Sequence, residues 1–173
     1  MTRYAVFMRG VNVGGVNLKM PDVVAALTDA GFGGVRTILA SGNVLLDSAV
    51  SAATVRKKAE AALRDAFGYD AWVLVYDIDA VRVINDGYPF ERERPDQQSY
   101  VTFVSDEQVL DELGELAEKP GPGERIARGE GVIYWQVAKG KTLDSTMGNT
   151  MGKQRYKSST TTRNIRTLEK ILK

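Results

Sequence analysis

Arg9-Gly10-Val11-Asn12-Val13-Gly14-Gly15 and Ser41-Gly42-Asn43 are the two stretches whose residue types and spacing could do chemistry, and that chemistry is the holding of an anion. Glycines leave backbone N–H groups uncovered and admit positive φ, and Arg9 supplies a permanent cation. A helix following the first stretch would aim its N-terminal amides at a bound oxyanion, and Lys19 places a second cation just ahead of it. The dipole of such a helix contributes about 0.3–1 kcal/mol at an exposed position, so cations and amides must carry most of the affinity. The same residues would also serve a tight connection, with Gly10, Gly14 and Gly15 turning the chain while Asn12 and Asn43 bond local backbone.

Composition narrows the chemistry. The 173 residues include no histidine and no cysteine. Disulfides, thiolate metal sites, cysteine nucleophiles, Ser-His triads and imidazole zinc sites are therefore excluded. Any acid–base step would fall to Asp, Glu, Lys or Tyr with a shifted pKa, or to a ligand, and Ser41 is the nucleophile candidate of an enzymatic reading. Asp77 and Asp79 are of a type that suits magnesium, but Asp77 reads better as a helix cap, and no metal ligand is assigned. Gly140-Lys141-Thr142 resembles the end of a P-loop, yet Trp135 stands where the first glycine is required. RGVNVGG is likewise not the G-x-G-x-x-G of dinucleotide-binding folds.

The elements that must position these residues follow from periodicity. Arg3 to Met8 alternates and is rich in strand formers, and Pro21 to Ala30 sets Val23, Val24 and Leu27 at helical spacing before Gly31. Val35 to Ala40 and Val44 to Asp47 read as a hairpin closed by Ser41-Gly42-Asn43. Ser51 predicts the N-cap of a helix with an apolar stripe from Val55 to Phe67, closed by Gly68, and Ala71 to Tyr76 predicts a further strand. The second half repeats the order: a strand at Ser99 to Val104, a helix from a Ser105/Gln108 capping box to about Ala117, and strands at Arg125 to Arg128 and Val132 to Ala138. A weaker helix over Leu143 to Thr150, a strand near Arg155 to Ser159 and a helix from Arg163 complete it. The expected fold class is α+β, two tandem ferredoxin-like (βαββαβ) modules with antiparallel sheets, spanning 1–76 and 99–173 and joined by a partly helical connection at 77–98. In that topology the first β-α loop and the β2-β3 hairpin leave the sheet at the same end, so Arg9 to Gly15 should face Ser41 to Asn43.

MRGVNVGGVNLKM at 8–20, SGNVLL at 41–46, PF at 89–90 and TTRNIRTLEKIL at 161–172 together resemble the bacterial domain-of-unknown-function 1697 family over essentially the whole chain. The resemblance implies two ferredoxin-like modules and brings no activity or cofactor. Arg163 and Asn164 join the candidate ligand residues through its C-terminal segment. The chain departs from the family pattern at Tyr88, where Asn usually precedes Pro-Phe, and at Ile165 and Arg166, where an aromatic residue and a second Asn usually follow Arg-Asn.

Charge is polarised along the chain. Residues 139–173 carry nine Lys or Arg and two acids, a net +7, which leaves the first 138 residues at −6. This basic part, with Lys153, Arg155, Lys157 and the hydroxyls of Ser158 to Thr162, could attract nucleic-acid phosphates or a phosphorylated metabolite, or pair with the acidic remainder. The third strand, Asn43 to Asp47, has none of the stacking aromatics of RNA-recognition modules, and of Tyr134 and Trp135 one is expected in the core. The leading expectation is a binding module for a phosphorylated or nucleotide-like small molecule. Its candidate residues are Arg9, Asn12, Gly14, Gly15, Lys19, Ser41, Gly42, Asn43, Arg163 and Asn164. Nucleic-acid binding and an enzyme of unknown reaction are the alternatives. No apolar run approaches the ~20 residues of a membrane span, and a cytoplasmic location is expected. Cofactor and oligomeric state are not specified by the sequence.

Overall fold

The computed structural model describes residues 1–9, 17–39, 42–92, 94–142, 145–151, 153, 156 and 158–173. It divides into two compact units, Met1–Val81 with Lys170–Lys173, and Arg82–Glu169. The chain is α+β, with one four-stranded antiparallel sheet in each unit.

In the first unit the order is β1 (Thr2–Met8), α1 (Met20–Asp29), β2 (Gly33–Ile38), β3 (Asn43–Ser48), α2 (Ala52–Phe67) and β4 (Val73–Asp77), and the sheet runs β2-β3-β1-β4. The helices form where the sequence pattern places them. Val23 and Leu27 of α1 and Val55, Ala59 and Leu63 of α2 are fully buried against Tyr4, Val6, Met8, Val44 and Leu46 of the sheet. Ser51 caps α2 by accepting from the Thr54 N–H at 3.3 Å, and Gly68 ends it in the left-handed conformation at φ +67°. β1 departs from the expected alternation. Tyr4 to Met8 are all buried, because Ala5 and Phe7 on the opposite sheet face are as covered as Tyr4, Val6 and Met8.

The helix α3 (Ile78–Asp86) follows β4 directly, and Asp77 caps it, its Oδ1 accepting from the Ala80 N–H at 2.8 Å. The chain continues with β5 (Gln97–Val104), α4 (Glu107–Gly114) with a 3-10 turn over Glu115–Glu118, β6 (Arg125–Arg128), β7 (Val132–Ala138), α5 (Thr146–Met151) and β8 (Thr160–Asn164) of the second unit, and then α6 (Ile165–Ile171). The sheet order of the second unit is β6-β7-β5-β8. Leu110, Leu113, Ile133, Trp135, Met147 and Met151 form its core. Trp135 and Tyr134 are both buried: Trp135 lies in that core, and Tyr134 on the other sheet face donates its hydroxyl to the Ile84 carbonyl at 2.7 Å.

Three expectations in this half are corrected. The cap of α4 is Asp106, whose Oδ1 accepts from the Gln108 and Val109 N–H groups at 2.9 and 3.2 Å, whereas the Ser105 hydroxyl donates to the Ser159 carbonyl. Asp106→Ala should therefore cost about 1 kcal/mol in chemical denaturation and Ser105→Ala distinctly less; equal losses would contradict the assignment. The last strand among the described residues is Thr160–Asn164; of the strand expected near 155–159, 155 and 157 lie outside the described residues, and 156, 158 and 159 are not in a strand. Three successive β-branched threonines suit the pleat, and pairing from Val104↔Thr160 to Tyr100↔Asn164 fixes the register. Arg163 is consequently a strand residue, and α6 starts at Ile165 with the Asn164 Oδ1 accepting from the Arg166 N–H at 2.9 Å. Of the weaker helix expected over 143–150, Thr146–Met151 is helical, and 143 and 144 lie outside the described residues.

Candidate functional site

Antiparallel pairing brings the end of β1 beside the β2-β3 turn. Phe7 pairs with Asn43, the Met8 N–H donates to the Gly42 carbonyl at 2.8 Å, and the Arg9 N–H donates to the Trp72 carbonyl at 3.1 Å. Arg9 is thus pinned by its backbone between the hairpin turn and the residue that precedes β4. Gly42 lies at φ +90°, and a Cβ there would stand 2.8 Å from the Cβ of Met8, so only glycine admits this approach.

The candidate residues of the first unit fall into distinct roles. Arg9 is half-buried, and burial lowers its pKa from the ordinary arginine value, although the guanidinium stays cationic near neutral pH. A partly desolvated cation attracts an anion more strongly than a hydrated one. Asn43 is 1% exposed, and its amide donates to the Ile38 carbonyl at 2.9 Å, so it holds the hairpin closed. Lys19 occupies the N-cap position of α1 with extended backbone, its carbonyl accepting from the Asp22 and Val23 N–H groups. Its side chain is exposed and forms no cap bond. Asn12, Gly14, Gly15 and Ser41 lie outside the described residues.

Two neighbours were not singled out from sequence. Trp72 meets Arg9 through its carbonyl and carries the Arg64 guanidinium 5.0 Å from its ring centroid. Its proximity follows only from β4 pairing with β1. Leu39 at the hairpin is half-exposed with φ +62°, in the region L side chains rarely adopt.

Arg163 and Asn164 belong to the second unit. Arg163 is buried, its Nη1 donating to the Thr161 hydroxyl at 2.7 Å and to the Thr162 carbonyl at 2.8 Å. Asn164 donates from Nδ2 to the Gln98 Oε1 at 3.2 Å and lines an open polar cleft with Arg92, Ser99, Lys139 and Arg166. Behind the cleft, burial raises the pKa of Tyr88, opposed by hydrogen bonds with Ser99 and Gln136. Among the described residues no group of three or more carboxylates gathers to hold a metal, and no helix is long and apolar enough to cross a membrane.

The α+β fold, with one four-stranded antiparallel sheet in each of two units, sets the class of protein. The chain belongs to the family described as Protein of unknown function (DUF1697), which matches residues 1–134. Among solved structures it is similar to the conserved bacterial protein SP0830 from Streptococcus pneumoniae, at 22% identity and a TM-score of 0.80, covering 98% of this chain and 96% of that one. That likeness shows a shared fold. An unknown protein from Galdieria sulphuraria aligns over 94% of this chain and 98% of its own at 13% identity and a TM-score of 0.29, too low to bear on the fold. The search of curated proteins found no match.

Proposed function

We propose that the first unit is a binding module for an oxyanion-bearing small molecule, phosphorylated or nucleotide-like, held where the β1-α1 connection meets the β2-β3 turn. The observation that carries this reading is the 2.8 Å bond from the Met8 N–H to the Gly42 carbonyl, which sets a half-buried arginine beside the glycine turn. The proposal extends to the fold. Each sheet has the order expected of a ferredoxin-like βαββαβ module, and two such modules in tandem account for β2-β3-β1-β4 and β6-β7-β5-β8. In that topology the connection after β1 and the β2-β3 turn emerge together, which suits a ligand spanning both. Cytoplasmic action is part of the same reading.

Nucleic-acid binding through the basic C-terminal part is the weaker reading. One of its nine cations, Arg163, is buried with its guanidinium turned back on its own strand, so the +7 of that segment overstates the charge offered to a polyanion.

Thermal-shift titration with inorganic phosphate and nucleoside mono- and triphosphates tests the proposal. At least one phosphate compound should raise the melting temperature beyond a chloride control at equal ionic strength. Arg9→Ala should weaken its binding by roughly 10- to 100-fold, the loss expected when a charged hydrogen-bond donor worth about 1.5–3 kcal/mol is removed. A wild-type protein indifferent to all of these ligands, or an Arg9→Ala variant whose ligand-induced amide NMR shifts at Met8 and Gly42 are those of wild type, would overturn the assignment. Asn43 is a poor test position, because its replacement opens the hairpin whether or not a ligand binds.

A further inference from the structure

We propose a second oxyanion site, in the second unit, specific for a phosphate dianion or the phosphate of a small phosphomonoester. It stands independently of the first-unit site. Its floor is the start of β5 at Gln97, Gln98 and Ser99, and its walls are Lys139 after β7, Asn164 and Arg166 at the β8-α6 junction, and Arg92. The cleft encloses about 40 Å³. That is several times the ~10–15 Å³ that admits one water, and it suits a phosphate group rather than a whole nucleoside.

The lining is almost wholly of donors and cations. Lys139 and Arg166 contribute two positive charges and Arg92 a third that its ion pair with Glu169 partly offsets, and no carboxylate is among the lining residues. Arg92 is fixed in place. Its Nη1 donates to the Asn85 Oδ1 at 3.0 Å, its Nη2 to the Asn85 carbonyl, and its guanidinium lies 5.5 Å from the Tyr88 ring centroid. Glu169 approaches it at 3.9 Å, and Asp96, the nearest acid in sequence to the floor, is 3.5 Å from Arg94.

Lys139 and Arg166 differ from Arg92 in a way that suits a ligand. Both side chains are exposed, and neither makes an ion pair among the described residues, while their backbones are anchored. The Lys139 N–H donates to the Asp96 carbonyl at 3.0 Å, and the Arg166 N–H to the Asn164 Oδ1 at 2.9 Å. The amides are oriented as well. The Gln98 Oε1 is occupied by the Asn164 Nδ2 at 3.2 Å, which leaves the Gln98 amide protons as donors. One preordered guanidinium, two cations borne on anchored backbone and a donor amide form a concave set that only an anion with several acceptor oxygens satisfies. Concavity separates this site from a nucleic-acid track, which needs cations spread along a surface.

Backbone amide NMR of the intact protein, titrated with inorganic phosphate and in parallel with glycerol phosphate against sodium chloride at matched ionic strength, tests the proposal. Saturable shifts are expected at Gln98, Ser99, Lys139 and Asn164. Tighter binding of glycerol phosphate would assign the site to a phosphomonoester, and tighter binding of phosphate to the free ion, and either result supports it. The Lys139→Glu, Arg166→Glu double variant should lose at least about tenfold in affinity, the minimum for removing charged donors. Arg9→Ala should leave these shifts unchanged, which separates this site from that of the first unit. Both charge-reversed positions are exposed, so the double variant should keep the wild-type melting temperature, and a folded variant that still binds phosphate as wild type would overturn the site. Shifts that chloride reproduces, or an oligonucleotide that displaces phosphate with a steep salt dependence, would overturn it equally.

Discussion

Gly42→Ala is expected to lower stability by about 2–4 kcal/mol, the combined cost of forcing an L side chain to positive φ and of overpacking a buried contact. The residue lies at φ +90°, and the added Cβ would meet the Met8 Cβ at 2.8 Å and the Met8 carbonyl oxygen at 3.6 Å. Met8 is 1% exposed within the core of the first unit, so neither atom can retreat without moving β1. Gly68→Ala isolates the conformational part of this cost. Gly68 also has positive φ, at +67°, but a Cβ there would meet nothing within 4 Å, and a loss of about 1 kcal/mol is expected. Urea denaturation of both variants provides the measurement. If Gly42→Ala is no more damaging than Gly68→Ala, the close approach of turn and strand that carries the proposed first-unit site is wrong. With the second-unit cleft disabled by Lys139→Glu and Arg166→Glu, a stable, folded Gly42→Ala protein that retained full phosphate affinity would count against the same approach from the binding side.

Much of the fold was legible in the sequence where local signals agree. Ser51, the stripe from Val55 to Leu63 and Gly68 specify α2 completely, because cap, periodicity and stop lie within one stretch of chain. The cap of α4 is ambiguous in the sequence for a local reason as well. Ser105 and Asp106 are both good N-cap residues, Gln108 suggests a capping box with Ser105, and spacing cannot separate frames one residue apart. Only the side-chain bonds of Asp106 do so. β8 failed for a non-local reason. The run Ser158 to Asn164 has no apolar period, and its extent is set by pairing with β5 far away in sequence. β1 illustrates a different blindness. Arg3 to Met8 reads as an alternating strand, whereas burial of both faces depends on what covers the sheet, which no single strand records.

The candidate sites were legible to different degrees for the same reasons. The meeting of Met8 with Gly42 and of Phe7 with Asn43, which brings Arg9 next in chain, follows from strand order, and strand order follows from the element pattern. Asn43 looked like a ligand residue because Asn in a turn is chemically versatile, whereas its 1% exposure and its bond to Ile38 tie it to the hairpin. The cleft of the second unit has no local signature at all. Gln98 and Asn164, its hydrogen-bonded amides, are 66 positions apart, and their neighbours Lys139 and Arg92 come from two further segments. Strand ends collected by a sheet leave no motif, only an unremarkable scatter of polar residues.

Trp135→Ala is expected to be among the most destabilising single changes in the second unit, at about 3–5 kcal/mol, the usual cost of emptying a buried tryptophan site. Trp135 is 1% exposed and stacks on Tyr100 across the β5-β7 pair, with ring centroids 4.6 Å apart. Its Nε1 donates to the Thr102 hydroxyl at 2.9 Å, and that oxygen also lies 2.8 Å from the Thr162 hydroxyl and 3.1 Å from the Met151 sulfur. Volume and hydrogen bonding can therefore be separated. Thr102→Val keeps the shape but leaves a buried indole N–H without its acceptor, an expected loss of about 1–3 kcal/mol. Trp135→Phe removes the donor together with part of the ring. In the double variant the orphaned donor no longer exists, so Thr102→Val should cost distinctly less in the Trp135→Phe background than alone. Urea denaturation of the four proteins of this cycle decides the matter. Strict additivity would mean that the bond contributes nothing and that Trp135 is held by apolar contact alone, whereas a coupling of about 1 kcal/mol or more would identify Thr102 as the polar anchor linking β5, β7 and β8.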